Sequence, residues 1–133
     1  MLKKLISVLF VVAVLLTSAV PQAHAANWKF IGENDIVSAS VNMDTIVHYT
    51  TENGDRITKG AFSSIVKSER VEIVHYVYVN DATLKYMYTD KCQYDQNGDR
   101  LGCYKADEPP SYPKRNSLLE DVLRFMINHN RVY

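Results

Sequence analysis

The feature that most constrains this chain is Lys91 to Lys105, which carries both of its cysteines on either side of an Asn-Gly pair. A turn centred on Asn97-Gly98 sets Gln96 against Asp99, Asp95 against Arg100, Tyr94 against Leu101, Gln93 against Gly102 and Cys92 against Cys103. Asn-Gly is a strong signal for a two-residue type I′ turn, whose central residues both need positive φ. Directly opposed residues of an antiparallel pair have Cα atoms roughly 4.5 to 5.5 Å apart, within reach of a disulfide. The spacing therefore predicts a β-hairpin stapled by Cys92 and Cys103. On strict alternation, Tyr86, Tyr88, Cys92, Tyr94, Leu101 and Cys103 share one face, and Lys91, Gln93, Asp95, Arg100 and Gly102 share the other. The disulfide is then expected to point into the core, with Asp95 and Arg100 paired across the wet side.

A structural disulfide needs an oxidising compartment, and the N-terminus supplies a route to one. Lys3 and Lys4 precede an uncharged run from Leu5 to Val20, and Ala23-His24-Ala25 follows with small residues at Ala23 and Ala25. This is the layout of a secretory signal peptide, expected over residues 1–25 with cleavage after Ala25. The run covers 16 residues, short of the about 20 that a spanning helix needs. No membrane span is expected after cleavage, and no cysteine lies near the cleavage site to take a lipid. The product is expected in the periplasm, at the cell surface or outside the cell. Residues 26–133 leave 108 residues with 13 basic against 15 acidic side chains. That is enough for one domain with one core, and a balance that argues against nucleic acid as partner.

Hydrophobic alternation lays out the rest. Trp28 leads a short segment ending at Gly32, and Val37, Ala39, Val41 and Met43 alternate with polar residues, the pattern of a strand with one wet face. Thr45 to Tyr49 extends or restarts that strand before a second Asn-Gly turn at Asn53-Gly54. Arg56 to Val66 reads as a strand with a bulge or close approach at Gly60. In Val71 to Val79 one face is Val71, Ile73, His75, Val77 and Val79 and the other Glu72, Val74, Tyr76 and Tyr78, so this strand is expected to be central and covered on both sides. Prolines at 109, 110 and 113 make Ala106 to Arg115 a loop. Ser117 and Glu120 then form a capping box, followed by Leu118, Leu119, Val122, Leu123 and Met126 at helical spacing. The fold class is α+β: an antiparallel sheet of about five or six strands with one C-terminal helix packed on it.

Residues that carry chemistry are sparse. His48 and His75 each sit in a Val-His-Tyr triplet, and no two histidines of the mature chain stand at metal-ligand spacing with a third partner. Each is expected at a strand rim, and no metal or cofactor is assigned. Asp95 to Asp99 has the oxygen-rich composition of a calcium loop, but Gly98 is fourth where the loop needs glycine sixth, and Ala106 stands where a bidentate Glu belongs. Ser63-Ser64 lacks a nucleophile elbow, and no glycine-rich phosphate loop is present. The chain is therefore expected not to be an enzyme. One helix can cover only one face of a sheet. Val74, Tyr76 and Tyr78 on the other face are thus the candidate surface for a protein partner or a second copy, unless the Trp28 segment or the proline loop covers them.

Taken in order, these elements resemble the surface-adhesin protein E-like family of small exported bacterial domains. The likeness rests on Trp28, the strand through Val41-Asn42-Met43-Asp44-Thr45-Ile46, the tyrosine-rich meander, the cysteine hairpin and the proline loop leading to a capped helix. The resemblance implies a twisted antiparallel sheet with a packed helix, an envelope or surface location, and binding rather than catalysis. Two departures stand out: the lipid-anchoring cysteine of the adhesin is absent, and the bridge here is local, whereas that of the adhesin ties its sheet to the C-terminal part. The expected function is a non-enzymatic adhesin-like binding domain. The alternative is a periplasmic inhibitor or chaperone-like factor, and after it a small envelope hydrolase or metal carrier using His48 and His75.

Overall fold

The computed structural model describes residues 27–133, so the signal-peptide reading and its cleavage residues Ala23 and Ala25 lie outside the described residues. Six strands run β1 (Trp28–Glu33), β2 (Val37–Thr50), β3 (Arg56–Val66), β4 (Val71–Asn80), β5 (Tyr86–Tyr94) and β6 (Arg100–Lys105), followed by α1 (Leu118–Asn128). They form one antiparallel sheet in the order β1-β2-β3-β4-β5-β6, each strand beside its neighbour in sequence. The expected fold class is the observed one, including the bond between Cys92 and Cys103.

α1 begins where the capping chemistry places it. The Ser117 hydroxyl accepts from the Glu120 amide at 3.2 Å, and the Glu120 carboxylate accepts from the Asn116 amide at 2.7 Å. The reciprocal bond thus reaches one residue further back than a standard capping box, because Asn116 turns its amide inward with φ 61°. The Asn116 amide and the Arg124 guanidinium, both hydrogen-bonded to the Glu120 carboxyl, hold it below its usual range. Val122, Leu123, Met126 and Ile127 of α1 are buried against Ala39, Val41, Phe62, Val77 and Val79 of the sheet. Gly60 lets the helix come this close: a Cβ there would sit 2.8 Å from Met126 Cε.

Two bulges decide which residues face the helix. In β2, Asn42 registers against Ala61 of β3 but Val47 against Lys59, so Met43 to Ile46 stand opposite Gly60 alone. Between β4 and β5, Tyr76 registers against Asp90 but Val77 against Tyr88, so Thr89 is the extra residue. Strict alternation put Tyr86, Tyr88, Cys92 and Tyr94 on one face; the bulge splits them. Tyr86 and Tyr88 pack with the helix-side core, whereas Cys92 and Tyr94 cluster with Ala61, Val74 and Trp28 on the far face. The disulfide therefore does not point into the main core: Cys92 is buried in the smaller cluster and Cys103 is exposed.

The two hairpin turns also differ from the expected type I′ form. The Gly98 amide donates to the Asp95 carbonyl, the Asp95 amide donates to the Asp99 carbonyl, and the Asp95 carboxylate accepts from the Asn97 and Asp99 amides, each at 2.9 Å. Gly98 has φ 85° while Asn97 is not among the positive-φ residues. A three-residue loop with glycine alone in the left-handed region satisfies the turn. Thr51 and Gly54 repeat the arrangement. Cys92 still meets Cys103 and Gln93 still meets Gly102, but Tyr94 meets Arg100. Leu101 is left over and exposed, and Asp95 closes the loop with Asp99 rather than pairing with Arg100.

Candidate functional site

The far face divides into two halves. Toward Trp28, it is closed: Ala61, Ser63, Glu72 and Val74 are all buried, with Trp28 and Tyr94 packed against the Ala61–Val74–Cys92 cluster. Of the three residues read as a partner surface, Val74 is 3% exposed, so it supports that surface from below. The Trp28 segment does pack on this face. The proline loop instead lies along β5, where Tyr86 and Ser111 exchange backbone hydrogen bonds of 2.8 and 3.0 Å.

Toward the Asn80 end, the far face is open. Met87, Tyr78, Lys59 and Val47 stand in one ladder row across β5, β4, β3 and β2, and the row beyond holds Ile57 and Tyr49. Tyr76 lies on the same face of β4 and is 39% exposed, with Met87 at 41% and Val47 at 45%. A tyrosine exposed to that degree in an interior strand follows from its partners: Ala61 on β3 is too small to cover the ring, and Asp90 on β5 keeps its side chain in water. Lys59 Nζ stands 5.8 Å from the Tyr78 ring centroid. Between Tyr49, Ile57, Tyr78, Met87 and Pro110 runs a cleft of about 300 Å³. The tyrosines were legible from alternation, but Val47, Tyr49 and Met87 were not, because their place depends on where β2 and β5 bulge.

The helix side holds a second arrangement that sequence reading missed. His75 is not at a strand rim; it lies in mid-strand under α1, stacked on Phe62 with ring centroids 4.7 Å apart and 5.1 Å from Tyr88. Its Nε2 is 3.1 Å from the Ser64 hydroxyl, while Nδ1 has no hydrogen-bond partner among the described residues. Burial, with Lys91 nearby, lowers the imidazole pKa to about 4, and burial pushes the Tyr88 hydroxyl up. Lys91 is itself bound to Glu108 of the proline loop at 2.9 Å. A cavity of about 170 Å³ opens beside His75 and Ser64, walled by Ala39, Leu119 and Val122. The face of His75 was readable from its alternation with Val77 and Val79; its meeting with Ser64 needed the β3–β4 register.

His48 serves a different end. Its Nδ1 is 2.8 Å from Thr58 Oγ1, which donates to Asp81 at 2.8 Å, and its Nε2 is 2.6 Å from the His129 carbonyl. Both ring nitrogens are thus engaged in fastening the end of α1 to the sheet. His48 registers with Thr58 and so with Val79, whereas His75 lies four residues away along β4. The two histidines are not brought together, and no group of three or more His, Cys, Asp or Glu suited to a metal forms among the described residues.

No family model, curated protein or solved structure matches this chain.

Proposed function

We propose that this chain is an exported, non-enzymatic binding domain, adhesin-like in kind, that engages a protein partner at Tyr76 and Tyr78 on the sheet face opposite its helix. The observation that carries the reading is the ladder row Met87–Tyr78–Lys59–Val47 beside an exposed Tyr76, a mainly aromatic and apolar strip crossed by one lysine. Strips of this composition are what interfaces are enriched in, and a preorganised strand surface loses little entropy on docking. Export is supported by the leader-like sequence and by a disulfide that an oxidising compartment maintains.

The non-enzymatic reading is supported by the state of the Ser64–His75 pair. Ser64 and His75 are at hydrogen-bond distance, but an imidazole held near pKa 4 is a poor proton acceptor at neutral pH, and no third group orients its Nδ1. Probing protein and glycan arrays with residues 26–133 tests the proposal. A saturable protein partner lost in Tyr76→Ala is expected. Empty arrays together with a strictly monomeric sedimentation profile would overturn it.

A further inference from the structure

The cavity between α1 and the sheet, about 170 Å³ beside Ser64 and His75, is open to solvent on one side. A dry apolar cavity of about 150 Å³ is enough to take up benzene, whereas sites for drug-sized ligands start at roughly 300 Å³. The volume therefore sets the occupant at one or two rings. Phe62, His75 and Tyr88 are already arranged ring against ring along the wall, which suits a flat guest. A polar foothold is available: the Ser64 hydroxyl, 3.1 Å from His75 Nε2, retains hydrogen-bonding capacity.

Charge narrows the class further. Lys91, the cation whose charge acts on His75, is bound to Glu108 and lies over the Tyr88 ring at 4.9 Å. His75 is uncharged at neutral pH because burial disfavours its cation. An anionic guest would thus be desolvated with no counter-charge.

We propose that this cavity is a binding site for a small neutral aromatic molecule of one or two rings carrying a single hydroxyl or N–H group, seated between α1 and β3 with its polar group on Ser64. The site is on the opposite side of the sheet from the partner surface, so its occupancy and the loss of partner binding in Tyr76→Ala are independent readouts.

Titration of the purified protein with phenol and with indole, followed by ligand-observed NMR and thermal melts, tests it, with benzoate as the anionic probe of equal size. Saturable binding of phenol and indole with a raised melting temperature is expected, and none for benzoate. Ser64→Ala should weaken binding about five- to tenfold, the worth of one hydrogen bond. Ala39 registers directly against Ser64, so Ala39→Leu fills the cavity and should abolish binding; Leu119→Phe fills it from the helix side should the first variant not fold. Absence of saturable binding by either neutral probe, benzoate binding as tightly as phenol, or undiminished binding in a filled and folded variant would each overturn the proposal.

Discussion

The two faces of this sheet are built from the same strands and meet different fates. On the helix side, Val77 and Val79 of β4 are buried in one cluster with Leu123 and Met126 of α1. On the far side, the same strand closes at Val74 and opens at Tyr76, four strands wide and with no helix above. The contrast comes from supply: one amphipathic helix of three turns covers one face over part of its length, and Trp28 and Tyr94 reach only the other end. What remains uncovered carries Tyr76, Met87 and Val47 beside Lys59 and Asp90, an apolar and aromatic patch with charge at its side.

This contrast makes the faces separable by mutation. The largest effect is expected at the helix side: Leu123→Ala, at a fully buried site, should cost about 3–4 kcal/mol in denaturant unfolding. A loss under 1 kcal/mol would mean that α1 is not the main source of stability.

A pH series probes the same layer through His75. The unfolded chain takes up a proton near the ordinary 6.5, whereas the folded one resists until about 4. The unfolded state therefore binds more protons across that interval. The contribution is fully present above pH 6.5 and is lost as pH falls toward 4, roughly 3 kcal/mol in all. His75→Leu should flatten that stretch of the stability curve relative to the parent, leaving the slope due to carboxylates; unchanged slopes would place the imidazole in water.

The far face is expected to respond through its staple. Replacing Cys92 and Cys103 together by alanine opens a loop whose ends are 11 residues apart and should cost about 3 kcal/mol in the chain-entropy account. Mass spectrometry without reductant should show the two-proton deficit of the bond in the parent; two free thiols would remove the basis of that comparison.

How much of this could be read beforehand follows from which residues act locally. The capped helix, the Arg56–Val66 strand and the meeting of Cys92 with Cys103 depend on neighbours within a dozen positions, and all were legible; Gly60 marked a close approach, but its partner Met126 lies far along the chain. The face carrying the disulfide was not. A single extra residue at Thr89 reverses the side on which every later β5 residue lies, and nothing in Tyr88-Thr89-Asp90 announces it. The turns were placed correctly but mistyped, because Asp95 and Thr51 supply side-chain acceptors that let glycine alone carry the positive φ. Of the candidate surface, Tyr76 and Tyr78 came from alternation, while Val47 and Met87 joined them only through bulged registers. The Ser64–His75 pair and its cavity depend on how β3 meets β4 and how α1 crosses them, which is long-range information.

The smallest expected change in stability carries the most weight for function. Tyr76→Ala removes an exposed ring and should shift unfolding by no more than about 0.5 kcal/mol. Array binding and melting of this variant, measured side by side with the parent over residues 26–133, is the direct test of a division between a stabilising face and a binding face. An unchanged melt with partner binding lost is expected. A variant that binds as the parent does, or one that loses binding only because it no longer folds, would contradict it.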